Sequence, residues 1–346
     1  MEGLEKAIEQ IKENMPKLDL RENEPMRNHC SFKVGGEVRA FAVPGDLFEM
    51  SKVMFYLHMN GVSPLTLGKC TNVIFPDEGL DIMVISTENL RKLRLGETEN
   101  TIYAEAGVSL AKLAQFARDN GLSGLEFASG IPGSVGGGGL MNAGAYGGEM
   151  KDVVESVVVY YVPTQALTEV KGSDCGFEYR RSAFEKINCA IMGAVFKLTP
   201  DDPEAIGARM KEMNEKRTAS QPLDMPSAGS AFKRPVGGYA AALIDQCGLK
   251  GYTVGGAQIS RKHAGFAVNA GNATYDDVVA LLDHVRREVY AQTQITLEPE
   301  IRIYPKGMML VDDWRERKQT IIDDMLEQAK QNAADSAAES RDVRPS

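Results

Sequence analysis

The stretch Gly130-Ile131-Pro132-Gly133-Ser134-Val135-Gly136-Gly137-Gly138-Gly139 is the densest run of glycine in the chain. Glycine lets main-chain N–H groups approach a ligand closely, and consecutive N–H groups in such loops bind anions such as a nucleotide pyrophosphate. A flexible linker or a set of tight turns is the alternative. A linker would be polar and rich in serine, whereas isoleucine, proline and valine are interleaved here. The run has neither a G-x-G-x-x-G dinucleotide fingerprint between a strand and a helix nor the G-K-[ST] triplet of a P-loop.

The length, charge and residue counts of the chain exclude several classes of protein. A chain of 346 residues predicts about two domains. Its net charge of −9 gives no general attraction for nucleic acid or anionic membranes. The five cysteines are scattered and form no C-x-x-C pair, the four histidines stand alone, and no metal site is expected. With neither a signal-peptide pattern nor an apolar run long enough to cross a bilayer, we expect a reduced, soluble, cytoplasmic protein.

Hydrophobic periodicity predicts alternating helices and strands in two α/β blocks. Helices are predicted over residues 1–15, 47–60, 109–120, 204–218, 239–247, 275–292 and 312–330. Strands are predicted over residues 38–43, 65–67, 73–75, 82–85, 101–106, 153–162, 189–198, 264–268 and 295–304. The proline-bounded segment near residue 200 is the predicted boundary between the blocks, and the composition of residues 332–346 predicts disorder.

Three further segments could carry chemistry. Tyr179-Arg180-Arg181-Ser182 offers guanidinium forks suited to carboxylate or phosphate. Leu297-Glu298-Pro299-Glu300-Ile301-Arg302-Ile303-Tyr304 alternates charged and apolar residues, as a strand with one charged face would. Pro226-Ser227-Ala228-Gly229-Ser230 ends on a serine that could act chemically or only cap a turn. Taken alone, each segment is better explained by a solvated surface or a local turn than by a functional role.

Together, in this order and spacing, the segments resemble the UDP-N-acetylenolpyruvoylglucosamine reductase family. The resemblance covers about residues 20–305. It also includes His29-Cys30-Ser31-Phe32-Lys33-Val34-Gly35-Gly36, Met141-Asn142-Ala143-Gly144-Ala145-Tyr146-Gly147-Gly148-Glu149, Lys250-Gly251 and Gly255-Gly256-Ala257-Gln258. The short distance from Arg180 to Ser230 is similar to the family's shorter subtype, which lacks an extra substrate-covering loop.

The resemblance implies an α+β fold with a two-part FAD-binding domain of the vanillyl-alcohol-oxidase (PCMH) type. That domain would span residues 20–203, with subdomains of about 20–90 and 91–203. A smaller C-terminal α/β substrate domain would span residues 204–306, and residues 307–346 would be an extra tail. The implied activity uses non-covalent FAD and NADPH to reduce UDP-N-acetylglucosamine enolpyruvate to UDP-N-acetylmuramate, a peptidoglycan precursor.

The resemblance also implies roles for individual residues. Arg180 would stabilise the substrate carboxylate, Glu300 would help to polarise it, and Ser230 would supply the proton. The implied substrate contacts are Tyr146, Tyr179, Lys250 and Arg302, and no metal is implied. The implied cofactor contacts are Gly68, Lys69, Cys70, Thr71, Asn72, Gly130, Ile131, Pro132, Gly133, Ser134, Gly137 and Gly144.

The chain departs from the family pattern at Cys70, where glycine is usual, and at Cys30, where threonine is common. A side chain at position 70 bears on how closely this turn approaches the FAD pyrophosphate, and Lys69 adds a compensating charge. Two alternatives stay open at this point: another FAD oxidoreductase of the same fold, or a catalytically silent nucleotide-sugar-binding protein.

Overall fold

The computed structural model describes residues 2–236 and 238–308, and its first subdomain is a four-stranded sheet covered by two helices. The elements are α1 (Glu2–Asn14), β1 (Asp19–Pro25), β2 (Glu37–Val43), α2 (Leu47–Met59), β3 (Leu65–Leu67), β4 (Val73–Ile74) and β5 (Leu80–Ser86). The strand order is β1-β2-β5-β3, with β5 parallel to both of its neighbours. The predicted apolar stripe of α1 packs with α2 in one buried cluster.

The second subdomain is an antiparallel five-stranded sheet with helices on one side. Its elements are β6 (Leu93–Leu95), β7 (Thr101–Glu105), α3 (Leu110–Asp119), β8 (Leu122–Ser123), α4 (Val135–Met141), β9 (Gly144–Ala145), β10 (Gly148–Glu149), β11 (Val154–Tyr161), β12 (Ala166–Lys171), β13 (Cys189–Lys197), β14 (Thr199–Pro200) and α5 (Pro203–Ser220). The order is β12-β11-β13-β7-β6. Helix α5 packs on this core through Ile206 and Met210, so it belongs structurally with the elements before it.

The C-terminal part packs a helix pair on a small antiparallel sheet. Its elements are β15 (Ser227–Ser230), α6 (Ala240–Gln246), β16 (Thr253–Val254), β17 (Ala257–Ile259), β18 (Phe266–Asn269), α7 (Tyr275–Thr293) and β19 (Arg302–Ile303). The sheet order is β15-β18-β17-β16. Strand β19 pairs in parallel with β4 in a separate two-stranded sheet, which attaches the end of this part to the first subdomain.

Two sequence predictions were wrong in detail. The glycine run is not a loop throughout, because residues from Val135 onward form helix α4. Glycine allows that helix to lie close to β7, since a Cβ on Gly136 would be 2.9 Å from the Cβ of Ala106. The predicted strand over residues 295–304 is reduced to β19, because Pro299 lacks an N–H and makes only an isolated bridge to Phe232.

Neither a membrane-spanning helix nor a cluster of metal ligands is present among the described residues. None of the helices in residues 2–236 and 238–308 is long and apolar enough to cross a membrane. Within the same ranges, no group of three or more His, Cys, Asp or Glu side chains is arranged to hold a metal ion. The predicted tail helix at residues 312–330 and the segment 332–346 lie outside the described residues.

Candidate active site

The turn at residues 68–72 and the glycine run meet where the two subdomains face each other. A Cβ on Gly68 would lie 2.1 Å from the Ser134 hydroxyl oxygen, so glycine is what lets the two segments touch. The start of α3 joins them, because the N–H of Leu110 donates to the carbonyl of Gly133 at 3.1 Å. These three backbones form one continuous wall.

A cavity of about 660 Å³ lies against that wall. Its lining residues are Asn28, His29, Phe41, Gly68, Lys69, Cys70, Thr71, Ser86, Glu88, Arg91, Gly107, Val108, Ser109, Lys112 and Pro132. Three of them, Lys69, Arg91 and Lys112, carry positive charge, which suits a diphosphate. The hydroxyl of Ser134 is buried and has no hydrogen-bond partner in the described structure, which fits a ligand that supplies one. The residues present therefore fit FAD.

Cys70 takes a backbone conformation that glycine adopts more readily. Its φ is +50°, in the left-handed region, and its side chain is buried. The thiol donates to the carbonyl of Gly68 at 3.6 Å, inside the turn. The chain thus forms this turn with a cysteine at position 70, which strains the backbone there.

The remaining predicted cofactor residues take up different positions around this wall. Ile131 packs on the core of the second subdomain, and Gly137 lies in α4. Gly130 faces α5, where a Cβ would be 2.8 Å from the Nε of Arg217. The side-chain amide of Asn72 donates to the carbonyl of Glu300 at 3.1 Å. Asn72 therefore ties the flavin-side turn to the segment that carries Glu300.

Arg180 and Glu300 form a close, largely buried ion pair across 120 residues of sequence. The Nε of Arg180 donates to Oε1 of Glu300 at 2.8 Å, and the side chains are 20% and 15% exposed. Arg180 also donates from Nη2 to the carbonyl of Gly144 at 3.1 Å. Burial raises the pKa of Glu300 above its ordinary value, although Arg180 acts in the opposite direction. This fold therefore holds a carboxyl group that burial makes harder to ionise beside a fixed guanidinium.

Backbone hydrogen bonds place Ser230 next to this pair. The N–H of Glu300 donates to the carbonyl of Ala231 at 2.9 Å, one residue after Ser230. Ser230 ends β15 and its side chain is exposed, directly after Gly229 with a φ of +78°. The hydroxyl of Ser31 donates to the carbonyl of Ser227 at 2.6 Å and anchors the same strand to the flavin-side subdomain. The backbone of Ser230 is thus one residue from a hydrogen bond to the segment that carries Glu300.

Asn142 fixes the loop that carries Tyr146. It is fully buried with a φ of +43°, and its amide nitrogen donates to Glu149 Oε2 at 2.7 Å and to the carbonyl of Glu178 at 3.0 Å. Strands β9 and β10 form a hairpin with Tyr146 at its tip. Because the carbonyl of Gly144 accepts from Arg180, the half-exposed Tyr146 ring is two residues from a contact of the ion pair.

A second cavity, of about 490 Å³, opens on the other side of the Arg180 segment. It is lined by Glu178, Tyr179, Arg181, Lys233, Arg234, Pro235, Val236, Ile295, Thr296 and Glu298. The hydroxyl of Tyr179 accepts from the backbone N–H of Arg234 at 3.2 Å. Lys233 and Arg234 were not among the predicted site residues. Their adjacency after the Ser230 motif was the available signal, because two successive cations beside a site suit an anionic ligand.

The last two predicted substrate contacts are held by carboxylates. Arg302 donates from Nε to the Met141 sulfur at 3.0 Å and pairs with Glu185, so it lies between α4 and the C-terminal segment. Lys250 forms an ion pair with Asp245 of α6 at 2.6 Å, within the C-terminal part. Arg302 is therefore part of the interface around the ion pair, whereas Lys250 contacts its own domain.

Comparison with known proteins agrees with this arrangement. A model of the FAD binding domain matches residues 38–165. A model of the C-terminal domain of UDP-N-acetylenolpyruvoylglucosamine reductase matches residues 221–304, beginning just after α5. The predicted fold class, an FAD-binding domain followed by a smaller C-terminal domain, is confirmed.

Similarity to named proteins extends over most of the chain. UDP-N-acetylenolpyruvoylglucosamine reductase of Caldanaerobacter subterraneus is 42% identical over 296 residues, covering 86% of this chain and 97% of the relative. The protein of the same name from Listeria monocytogenes serotype 4a is 40% identical over 85% of this chain and 97% of its own length. The crystal structure of the reductase from Thermus caldophilus superposes with a TM-score of 0.71 at 32% identity, over 84% of this chain and 99% of that one. The chain therefore belongs to the UDP-N-acetylenolpyruvoylglucosamine reductase family.

Proposed function

We propose that this chain catalyses the NADPH-dependent reduction of UDP-N-acetylglucosamine enolpyruvate to UDP-N-acetylmuramate, in the cytoplasm, as a step of peptidoglycan precursor synthesis. Bound FAD would take hydride from NADPH and deliver it to the enolpyruvyl double bond. The observation that carries the proposal is the buried Arg180–Glu300 pair. The backbone N–H of Glu300 bonds to Ala231, the residue after Ser230, and its carbonyl accepts from Asn72 of the turn at residues 68–72.

Arg180 would bind the substrate carboxylate. Hydride addition to one carbon of the enolpyruvyl group leaves negative charge on the next carbon and on its carboxylate. A guanidinium fixed by Glu300 and by the Gly144 carbonyl is already oriented when that charge develops. Preorganised charge of this kind typically contributes a factor of ~10²–10³ to the rate.

Glu300 would hold Arg180 in place and polarise the same carboxylate. Burial raises the pKa of Glu300, so its carboxyl group holds a proton to a higher pH than an exposed glutamate. Either protonation state supports Arg180, as an ion pair or through a hydrogen bond. The Glu300 carboxyl group would therefore act on the substrate carboxylate both directly and through Arg180.

Ser230 would donate the proton that completes the reduction. A hydroxyl is a weak acid, but an enolate carbon is a strong base, so a serine close to it suffices. Its exposed side chain at the end of β15 is free to face a substrate that enters between the C-terminal part and the flavin-side wall.

Stopped-flow absorbance of the bound flavin tests the proposal. NADPH should bleach the oxidised flavin, and the UDP-enolpyruvyl sugar should then restore it in a single exponential. A protein that is reduced by NADPH and reoxidised only by dioxygen would be a different flavin oxidoreductase. A colourless protein that takes up no FAD would contradict the proposal and favour a silent binding protein.

A further inference from the structure

Arg217, near the C-terminal end of α5, lies between the glycine run and the Tyr146 hairpin. Its guanidinium carbon is 5.8 Å from the centroid of the Tyr146 ring. On its other side a Cβ at Gly130 would be 2.8 Å from its Nε, so the side chain lies directly against that backbone. Helix α5 is anchored on the second subdomain, which fixes the position from which Arg217 reaches this junction.

The charge of Arg217 is left without a carboxylate. Its Nη1 donates to Gln221 Oε1 at 3.2 Å, but its Nε is buried and has no partner among the described residues. Burial lowers the pKa of Arg217, opposed only by the Tyr146 phenol. Arg209, two turns earlier on the same helix, is different: it pairs with Glu126 and with Asp201 at 2.7 and 2.6 Å.

A partly buried cation with an unused donor is costly unless a ligand supplies the partner. The FAD cavity already contains Lys69, Arg91 and Lys112 for the cofactor's own diphosphate. The Arg180–Glu300 pair serves the substrate carboxylate. Arg217 lies beside the half-exposed Tyr146, whose hairpin also carries the Gly144 carbonyl that accepts from Arg180. The planar fork of a guanidinium in this position suits a phosphate oxygen.

We propose that Arg217 binds the diphosphate of a nucleotide ligand that enters beside Tyr146. This inference rests on the proposed function, in which two ligands with a diphosphate, NADPH and the UDP-sugar, reach the site in turn. Arg217 is then a ligand-binding residue that sequence analysis did not single out.

Isothermal titration calorimetry of the flavin-loaded protein with UDP and with NADP⁺ provides the test. Arg217→Met should weaken UDP, NADP⁺ or both by roughly 10- to 100-fold, the effect of losing one charge-assisted hydrogen bond. A loss confined to UDP assigns the UDP-sugar as the source, a loss confined to NADP⁺ assigns NADPH, and a loss of both indicates a shared diphosphate site. Arg209→Met is the matched control and should leave both affinities within about twofold of wild type.

A purely structural role would give another pattern. It would weaken uridine, measured as a competitive inhibitor, as much as UDP, whereas diphosphate binding leaves uridine unchanged. The inference is overturned if Arg217→Met weakens uridine and UDP equally. It is also overturned if the flavin-loaded variant binds UDP and NADP⁺ with wild-type affinities. If Arg217→Met does not fold, Arg217→Lys keeps the charge without the fork and should give a smaller loss of the same kind. Failure of the proposed function itself gives a different result: the UDP-enolpyruvyl sugar would then not reoxidise the flavin of the wild-type protein.

Discussion

Two largely buried glutamates, Glu300 and Glu126, each pair with an arginine and should respond in opposite ways when the carboxylate is replaced by an amide. Glu300 accepts from Arg180 at 2.8 Å and Glu126 pairs with Arg209 at 2.7 Å, so the pairs are geometrically alike. Burial raises the pKa of Glu300. Burial also acts to raise that of Glu126, but hydrogen bonds from Arg209, Gly124 and Ser123 outweigh it and leave the pKa lowered.

These directions fix the sign of each effect on stability. A raised folded-state pKa means that folding favours the neutral acid, so the ionised Glu300 weakens the fold as the pH rises above the range of an ordinary glutamate. Glu300→Gln resembles the neutral acid and should keep the free energy of unfolding at neutral pH within about 1 kcal/mol of wild type. A lowered pKa means that ionised Glu126 stabilises the fold, and this contribution is lost as the pH falls through its folded pKa. Glu126→Gln should cost about 1–3 kcal/mol at neutral pH.

Urea unfolding at neutral pH and near pH 4 measures both changes, and stopped-flow absorbance measures function. The deficit of Glu126→Gln should shrink in acid, while its two half-reactions stay near wild type. Glu300→Gln should slow reoxidation by the UDP-enolpyruvyl sugar by ~10²-fold or more, because an amide lacks the acidic proton with which the carboxyl group polarises the substrate carboxylate. The reasoning is refuted if Glu300→Gln destabilises the protein as much as Glu126→Gln and slows both half-reactions equally.

Two other outcomes are expected. Gly107 lines the FAD cavity, and a Cβ there would lie 1.9 Å from the carbonyl oxygen of Thr87. Gly107→Ala should therefore destabilise the fold by about 1–3 kcal/mol and lower the flavin content. A Cβ on Gly238 would meet open space, so Gly238→Ala should leave the free energy of unfolding in urea unchanged. FAD should be released by acid precipitation, since no histidine or cysteine matches a tethering motif; flavin remaining on the precipitated polypeptide would contradict non-covalent binding.

Local patterns in the sequence predicted most helices and strands, because caps and periodicity are local. The helix predicted over residues 109–120 is an example: Ser109 caps α3, because its hydroxyl accepts from the N–H of Lys112. The glycine run was predicted as a ligand-binding loop, but tertiary packing against Ala106 folds part of it into α4. Glycine's low helix propensity could not reveal that packing.

The site was harder to predict from local patterns. The Arg180–Glu300 contact joins residues 120 positions apart, so only the resemblance to a family brought them together beforehand. Arg217 was missed because the polar pattern of its helix predicts that a charged side chain there is exposed to solvent. Its unpartnered Nε becomes visible only when α5 is packed against Gly130. Both features depend on contacts between residues far apart in the chain, which local sequence patterns do not predict.

The central claim, that Ser230 supplies a proton in the second half of a flavin-dependent reduction, is tested most directly by rapid mixing of Ser230→Ala. Flavin reduction by NADPH requires no proton on carbon and should stay within a few-fold of wild type. Reoxidation by the UDP-enolpyruvyl sugar should slow by ~10²–10⁴-fold, the usual effect of losing a general acid. Ser230→Cys should recover part of the rate. If Ser230→Ala loses only ~1 kcal/mol of stability and reoxidation stays fast, Ser230 merely caps a turn and the proton-donor account is contradicted.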